Sequence, residues 1–123
     1  QVIVAITIGA VSEALILAGG GGADRAQVRE ALQGGFASSR ILSEHGQRMV
    51  QRQFEPGGPA KFQVKDLKNA LAAAERLGLD LPITRLTNEL FTAMVVSGKG
   101  EMDHSGLLTH LEAINGIEEQ ENV

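Results

Sequence analysis

The sequence predicts an all-α fold, a bundle of five to six helices that begins with one long apolar helix. Apolar residues recur at helical spacing, and runs of glycine and proline separate the periodic segments. No segment of useful length alternates apolar and polar residues as a half-buried strand would. The 123 residues, 43% of them hydrophobic, suit one domain with one core. We expect residues 1–117 to form this helical domain and the acidic residues 118–123 to form a solvated tail.

The first predicted helix is the apolar run QVIVAITIGAVSEALILA, which the glycines at positions 19–22 end. The run approaches the length of a membrane span, but Glu13 interrupts it, and it lacks the basic residues that open a signal peptide. We therefore predict a buried helix and no membrane partner. Because a helix and not a strand precedes the glycines, a helix–helix turn is favoured over a phosphate-binding loop.

Capping residues predict the second and third helices. Asp24 followed by Gln27 resembles a capping box and indicates a short helix over about residues 25–33. Ser38 or Ser39 can cap a third helix that extends to about residue 53. Four of its positions are expected to be buried: Ile41, Leu42, Met49 and Val50.

The segment FEPGGPAKF, residues 54–62, predicts a loop, either ordered or mobile, because two prolines and two glycines cannot continue a helix. A fourth helix should follow, with its apolar face at Leu67, Ala70, Leu71, Ala74 and Leu77, and Gly78 should end it.

This boundary would put Lys65 in or just before the first turn of the fourth helix. The helix dipole favours an acid or a bound anion there, so Asp66 suits the position and Lys65 does not. A lysine at a helix N-terminus after a Gly/Pro loop predicts an anion site. The alternative is a solvated helix face that carries Lys65, Lys68 and Asn69 without a function.

Pro82 suits the first position of a fifth helix, which the segment SGKG (residues 97–100) should end. Its predicted core stripe consists of Ile83, Leu86, Leu90, Ala93 and Met94. Asp103 or Ser105 can cap a last helix over about residues 106–114.

Composition argues against several classes of function. The net charge of −4 and the lack of a basic stripe argue against nucleic acid as a partner, as do four Phe with no Trp or Tyr for base stacking. The absence of cysteine removes disulfides, thiolate metal sites and a cysteine nucleophile. It suits a cytoplasmic protein, although other compartments are compatible with it.

Catalytic and metal-binding patterns are scarce. His45, His104 and His110 are scattered and share no ligand spacing. Glu101 and Asp103 with His104 offer too few ligands for a calcium loop. Capping explains the serines, so we predict neither a metal site nor a serine nucleophile.

Three segments in order carry a resemblance to a known family: VKDLKNAL (64–71), GLDLPIT (78–84) and GKGEMDHSGLL (98–108). Together they resemble the C-terminal helical domain of the β-hydroxyacid dehydrogenase family. The opening run is similar to the long helix that links the family's two domains, and GGFASSRIL (34–42) is similar to its third segment. The resemblance implies a fold like the C-terminal domain of 6-phosphogluconate dehydrogenase and extends over nearly the whole chain.

The resemblance implies that the parent enzyme transfers hydride between NAD or NADP and a small aldehyde-acid, with 2-hydroxy-3-oxopropionate (tartronate semialdehyde) as the expected substrate. Family members carry an N-terminal Rossmann domain and a Lys-x-x-Asn-Gln motif with the catalytic lysine. Gln1 matches the last letter of this motif. We therefore expect this chain to lack the Rossmann domain and every catalytic residue, and to be inactive alone.

The resemblance also implies roles for residues of this chain. Lys65 matches a family lysine that contacts the nicotinamide cofactor, and Asp66 matches an aspartate near the substrate. Asn69, one turn on, is a further candidate by proximity. Gly58 aligns where the family often has an aromatic against the substrate, which leaves the substrate's identity open.

Two hypotheses of different classes remain from the sequence. As an enzyme domain, the chain would close the cofactor and substrate cleft and form homo-oligomer contacts, because its apolar first helix would otherwise expose a hydrophobic patch. As a stand-alone all-α dimerisation or interaction module, it would use Lys65 only as a surface lysine.

Overall fold

The computed structural model describes residues 1–118, and the regular secondary structure of this part of the chain is helical, as predicted, with one isolated antiparallel bridge between Pro59 and Asp103. Residues 119–123, most of the predicted acidic tail, lie outside the described residues. The six α-helices are α1 (Val2–Gly20), α2 (Arg25–Leu32), α3 (Arg40–Gln51), α4 (Ala60–Arg76), α5 (Pro82–Met94) and α6 (Leu107–Ile114). The segment Val95–Lys99 continues α5 as far as a kink at Gly98, which has a left-handed φ of 98°, and a 3-10 turn at His104–Gly106 leads into α6.

Helix α1 lies at the centre of the bundle and contacts all five other α-helices. Its buried residues form one side: Ala5, Ile8, Val11, Ser12 and Leu15. Ile3 and Leu17 are each 79% exposed. The prediction of a buried helix is therefore right for one side only. By length and composition α1 could cross a membrane, but contacts with five helices favour a core helix.

The predicted helix caps are confirmed in three places. The Asp24 carboxylate accepts hydrogen bonds from the backbone N–H groups of Ala26 and Gln27. Of the two serines considered for α3, Ser39 is the cap, since its Oγ accepts from the N–H of Leu42 at 2.9 Å. Gly78, with φ of 71°, follows the end of α4 and adopts a left-handed conformation that L-residues avoid.

The structure corrects the predicted start of α4. The helix begins at Ala60, so Lys65 lies in its second turn, where the helix dipole has little effect. The first-turn donors find partners distant in sequence: the N–H of Ala60 donates to the Met102 carbonyl at 2.8 Å, and that of Lys61 to the Gly100 carbonyl at 3.0 Å. These bonds start the helix early, and local sequence spacing does not reveal them.

The predicted core stripe of α5 is also largely wrong. The buried residues are Thr84, Thr87, Phe91 and Met94. Ile83 is 63% exposed and Leu86 is 57% exposed. Thr87 can be buried because its hydroxyl donates to the Ile83 carbonyl at 2.8 Å, so no polar group is left unpaired. The spacing of apolar residues alone therefore predicted the wrong face of α5 to be buried.

Helix α3 follows its prediction more closely. Leu42 and Met49 are buried, while Ile41 and Val50 are half-buried against the same core. The helix ends at Gln51, two residues before the predicted end, because Arg52 has left-handed backbone angles, with φ of 54°. The side chain of Arg52 forms an ion pair with Glu112 of α6.

Candidate functional site

The segment between α3 and α4 is an ordered loop, held by the buried carboxylate of Asp103. Asp103 Oδ1 accepts hydrogen bonds from the backbone N–H groups of Gly57 and Gly58, both at 2.9 Å. Its Oδ2 accepts from the N–H of Ser105 at 3.0 Å and from the Ser105 hydroxyl at 2.5 Å. Two backbone hydrogen bonds also join the loop to residues 103 and 104. The Asp103 N–H donates to the Phe54 carbonyl, and the His104 N–H donates to the Gly58 carbonyl. Of the alternatives left open by the sequence, the structure supports the ordered loop.

These hydrogen bonds keep Asp103 ionised. Burial pushes the pKa of its carboxyl upward, but the Ser105 hydroxyl and the N–H groups of Gly58, Ser105 and Gly57 outweigh burial and lower the pKa to about 2. A negative charge therefore lies directly beneath the loop that precedes α4. Arg48 approaches the same carboxylate, with 3.7 Å between its Nη1 and Asp103 Oδ1.

A chain of side chains extends from this loop to the start of α1. Gln63 is buried on α4, and its Oε1 lies 3.1 Å from His104 Nδ1, while its Nε2 lies 3.4 Å from the Gln1 carbonyl. His104 Nε2 in turn lies 2.9 Å from His45 Nε2 of α3. Burial lowers the pKa of both histidines, although the Asp103 charge opposes the shift. Both rings are therefore held in their neutral form.

This histidine pair was missed by the sequence reasoning. His45 and His104 are 59 positions apart, and no spacing rule joins them. The sequence does place Asp103 beside His104, and Asp103 was considered there as a helix cap and as one of too few ligands for a calcium loop, but nothing in the sequence indicates that His45 lies nearby. Asp103 does cap the turn before α6, and the same carboxylate draws the loop at residues 57–58 toward His104. His110, the third histidine, does not belong to the cluster.

The candidate residues of α4 lie away from the histidine pair. The buried side of the first half of α4 is formed by Ala60, Gln63, Val64 and Leu67. At 100° per residue, Lys65 and Asn69 fall on the opposite, exposed side, one turn apart, and Asp66 is half-buried at the flank. Lys65 forms no ion pair or hydrogen bond within residues 1–118, so its ammonium group is free for a ligand or for water.

Gly58, the fourth candidate, lies at the histidine pair and not on the face of Lys65. Its N–H is used by Asp103, and a Cβ at this position would come within 3.2 Å of His104 Cε1 and Nε2. A larger residue would have to displace the imidazole. Glycine at position 58 and histidine at position 104 are therefore compatible neighbours, and the ring occupies the space that a side chain at 58 would need.

Comparisons with known proteins identify the family. The family model described as "NAD-binding of NADP-dependent 3-hydroxyisobutyrate dehydrogenase" matches residues 1–111. The chain belongs to the β-hydroxyacid dehydrogenase family. It is 51% identical over 112 residues to 2-hydroxy-3-oxopropionate reductase of Escherichia coli K12, covering 91% of this chain and 38% of that protein. It is 33% identical over 120 residues to a probable mitochondrial 3-hydroxyisobutyrate dehydrogenase-like protein of Arabidopsis thaliana, covering 98% and 36%.

Solved structures of the family share the fold. The crystal structure of a 3-hydroxyisobutyrate dehydrogenase from Salmonella typhimurium superposes with a TM-score of 0.85 at 24% identity, over 89% of this chain and 38% of that one. This likeness confirms the predicted all-α fold. The description of the matched family supports NAD or NADP as the cofactor, also as predicted. The chain spans about two fifths of the length of the relatives it matches.

Proposed function

We propose that this chain is the helical domain of an NAD- or NADP-dependent β-hydroxyacid dehydrogenase that reduces 2-hydroxy-3-oxopropionate or a similar small aldehyde-acid. The observation that carries the proposal is the 51% identity to a 2-hydroxy-3-oxopropionate reductase over nearly the whole chain. A dinucleotide-binding domain and a catalytic lysine would come from the remainder of the enzyme. The relationship to a bacterial dehydrogenase favours a soluble protein, and we place it in the cytoplasm.

In this proposal the chain contributes charge and shape to the cleft. Lys65, exposed and without a partner in the described residues, would approach the cofactor, whose hydride the enzyme transfers. Asp66 at the flank of α4 and Asn69, one turn from Lys65, would face the substrate side, as would Gly58, where the imidazole of His104 takes the place of a side chain. The chemistry of hydride transfer belongs to the cofactor, and these residues would only bind and orient.

Replacement of Lys65 tests this role. In the complete enzyme, Lys65→Ala should weaken cofactor affinity or turnover by about tenfold or more, the effect of one lost charge-assisted contact of about 1.4 kcal/mol or more. The unfolding free energy should change by less than about 0.5 kcal/mol, because Lys65 is exposed and unpaired. Steady-state kinetics with varied cofactor, together with urea unfolding, measure the two quantities.

Arg76→Ala provides the matched control. Arg76 is also an exposed basic residue of α4, and its replacement removes the same net charge, but it lies three turns, about 16 Å, along the helix from Lys65. Its replacement should leave the kinetics within about twofold. Unchanged kinetics in Lys65→Ala would contradict the cofactor role and favour the stand-alone interaction module.

Self-association is the second proposed property of the chain. The exposed apolar residues of α5 form a groove of about 420 Å³ with α1, lined by Ile6, Gly9, Ala10, Glu13, Pro82, Ile83, Leu86, Thr87, Leu90 and Leu111. Ile3 and Leu17 extend the exposed apolar surface along α1. A contiguous apolar surface of this kind usually binds a partner, here a second copy of the chain or the rest of the enzyme.

We expect the isolated chain to be dimeric or larger at tens of micromolar by light scattering. The double variant Ile83→Glu/Leu86→Glu should shift it to monomer, because four charges would be buried in a symmetric interface, while its Tm changes little. Leu77→Glu, at a 73% exposed residue outside the groove, should leave the assembly intact. A wild-type chain that is already monomeric at this concentration would contradict the prediction.

A further inference from the structure

The two histidines His45 and His104 present ring nitrogens to each other in a partly buried place. Their Nε2 atoms are 2.9 Å apart, and the rings meet edge to face with centroids 4.8 Å apart at 63°. Together with an oxygen of Asp103, the potential ligand atoms lie within 4.8 Å of one another. The three residues come from α3 and from the turn before α6, so tertiary packing and not a local motif assembles them.

The neighbouring glutamine determines which nitrogen of His104 carries a proton. Because the amide nitrogen of Gln63 faces the Gln1 carbonyl, its oxygen faces His104 Nδ1, which must then donate. His104 Nε2 consequently carries a lone pair that is aimed at His45 Nε2. A histidine that binds a metal through one nitrogen almost always donates its other N–H to an oxygen in this manner.

The charges around the pair are compatible with a cation. The carboxylate of Asp103 is buried next to His104, and the exposed carboxylate of Glu44 lies next to His45 on α3. The positive charge of Arg48 disfavours a bound cation, since its Nη1 lies 3.7 Å from Asp103 Oδ1. The Arg48 side chain is 37% exposed, however, so water partly screens this charge. The oxygens of Asp103 already accept four hydrogen bonds, so Asp103 contributes charge and not a direct ligand.

We propose that His45 and His104 bind a divalent transition-metal ion of the Zn²⁺, Ni²⁺ or Cu²⁺ class between their Nε2 atoms, with Gln63 orienting His104 and water completing the coordination. Imidazole nitrogen favours these ions over Mg²⁺ and Ca²⁺. A tetrahedral Zn²⁺ with Zn–N bonds of about 2.0–2.1 Å needs its two nitrogens about 3.3 Å apart. The pair at 2.9 Å would have to separate by only a few tenths of an ångström.

Metal binding would also add a link between α3 and the segment at residues 103–104, which the Arg48–Asp103 ion pair and the His45–His104 contact already join. His45 belongs to α3, and His104 belongs to the segment that holds the loop before α4. A metal bridge would replace one N–H···N hydrogen bond by two coordinate bonds across this boundary, and the proton displaced from His45 Nε2 would move to His45 Nδ1, which is buried and has no hydrogen-bond partner in the described residues. The folded chain would therefore be stabilised by metal, because the unfolded chain has no such pair in place.

The test uses the 123-residue chain without an affinity tag, after treatment with a chelator. Calorimetric titration with Zn²⁺ should show one ion per chain, and excess Zn²⁺ should raise Tm. Electron paramagnetic resonance of the Cu²⁺ form should show two equivalent imidazole nitrogens, a signature that needs no variant. His45→Gln and His104→Gln should each weaken Zn²⁺ binding by at least tenfold, and His110→Gln, at a half-buried histidine outside the pair, should leave it unchanged.

Several results would overturn the proposal. These are the absence of Zn²⁺ binding up to millimolar concentration, binding that survives replacement of both histidines, or a Cu²⁺ spectrum with a single nitrogen. The pair would then be a hydrogen-bonded contact only. The outcome is independent of the proposed dehydrogenase function, since neither Lys65 nor a cofactor takes part in the measurement.

Discussion

Asp103→Ala should lower the free energy of unfolding by about 3–5 kcal/mol and Tm by about 10–20 °C. The substitution removes the acceptor for four donors at once: the N–H groups of Gly57, Gly58 and Ser105 and the hydroxyl of Ser105. A buried donor left without a partner costs about 1–3 kcal/mol, and water entering the space would recover part of the sum. Thermal unfolding and urea titration of the isolated chain measure the loss.

Asp103→Asn separates the contribution of shape from that of charge. The amide can still accept from Gly57 and Gly58 through its oxygen, and its NH₂ can donate to the Ser105 hydroxyl, so that mainly the Ser105 N–H loses its acceptor. We expect a loss of about 1–3 kcal/mol, smaller than that of the alanine variant.

The acid limb of the stability profile gives a second readout of the same carboxylate. The pKa of Asp103 is lowered to about 2 in the folded chain from 3.8, so its charge contributes stability that is complete above about pH 4 and is lost as the pH falls toward 2. That contribution is about 2 kcal/mol by linkage. The fall in stability between pH 4 and pH 2 should be shallower in Asp103→Asn than in the wild type.

Asp80→Ala is the matched control for the carboxylate. Asp80 forms an ion pair with Arg85, but both side chains are more than half exposed, and surface pairs contribute about 0–1 kcal/mol. An Asp103→Ala chain that unfolds within about 3 °C of the wild type would show that water replaces the carboxylate and that the loop does not depend on it. Faster amide exchange at Gly57 and Gly58 would show the expected loosening directly.

The sequence was sufficient for what depends on local chemistry. The cap residues Asp24 and Ser39 and the left-handed Gly78 were found because each acts on backbone within a few positions. The sequence was insufficient where contacts between distant segments determine the structure. The early start of α4 depends on hydrogen bonds to the carbonyls of residues 100 and 102, and the spacing of apolar residues in the sequence does not reveal these bonds.

The same distinction explains the face of α5 and the candidate site. Ile83 and Leu86 have the spacing of a core stripe, yet Thr87 is buried in their place because its hydroxyl bonds to its own helix. A pattern of apolar residues can serve a core or an interface, and the sequence of one chain does not distinguish the two. His45 and His104, likewise, meet only through the packing of α3 against the turn before α6.

Glu112→Ala should be the second most costly change, with a loss of about 3 kcal/mol. Glu112 is 1% exposed in α6 and binds two arginines: Arg25 Nη1 lies 2.7 Å from its Oε2, and Arg52 Nη2 lies 2.9 Å from its Oε1. Arg25 begins α2 and Arg52 follows α3, so one carboxylate joins three helices. Removing one partner of a buried pair leaves uncompensated charge and typically costs 3–5 kcal/mol.

The partly exposed arginines set the size of this effect. The side chains of Arg25 and Arg52 are 10% and 22% exposed, so both can turn toward water when the carboxylate is gone, which places the loss at the lower end of that range. Glu112→Gln should lower the unfolding free energy by less, because the amide keeps one acceptor oxygen. The double-mutant cycle of Arg52→Ala and Glu112→Ala, measured by urea unfolding, should give a coupling energy of about 1–3 kcal/mol.

Glu89→Ala, at an exposed position of α5, should change the unfolding free energy by no more than about 0.5 kcal/mol and serves as the control for removal of a glutamate. If Glu112→Ala changed the unfolding free energy as little as Glu89→Ala, water would hydrate the two arginines well enough without the carboxylate. Helix α6 would then be held by its apolar contacts through Leu107, Leu108 and Leu111. A large loss would instead mean that the ends of α2 and α3 depend on one charge of the last helix, which apolar packing does not replace.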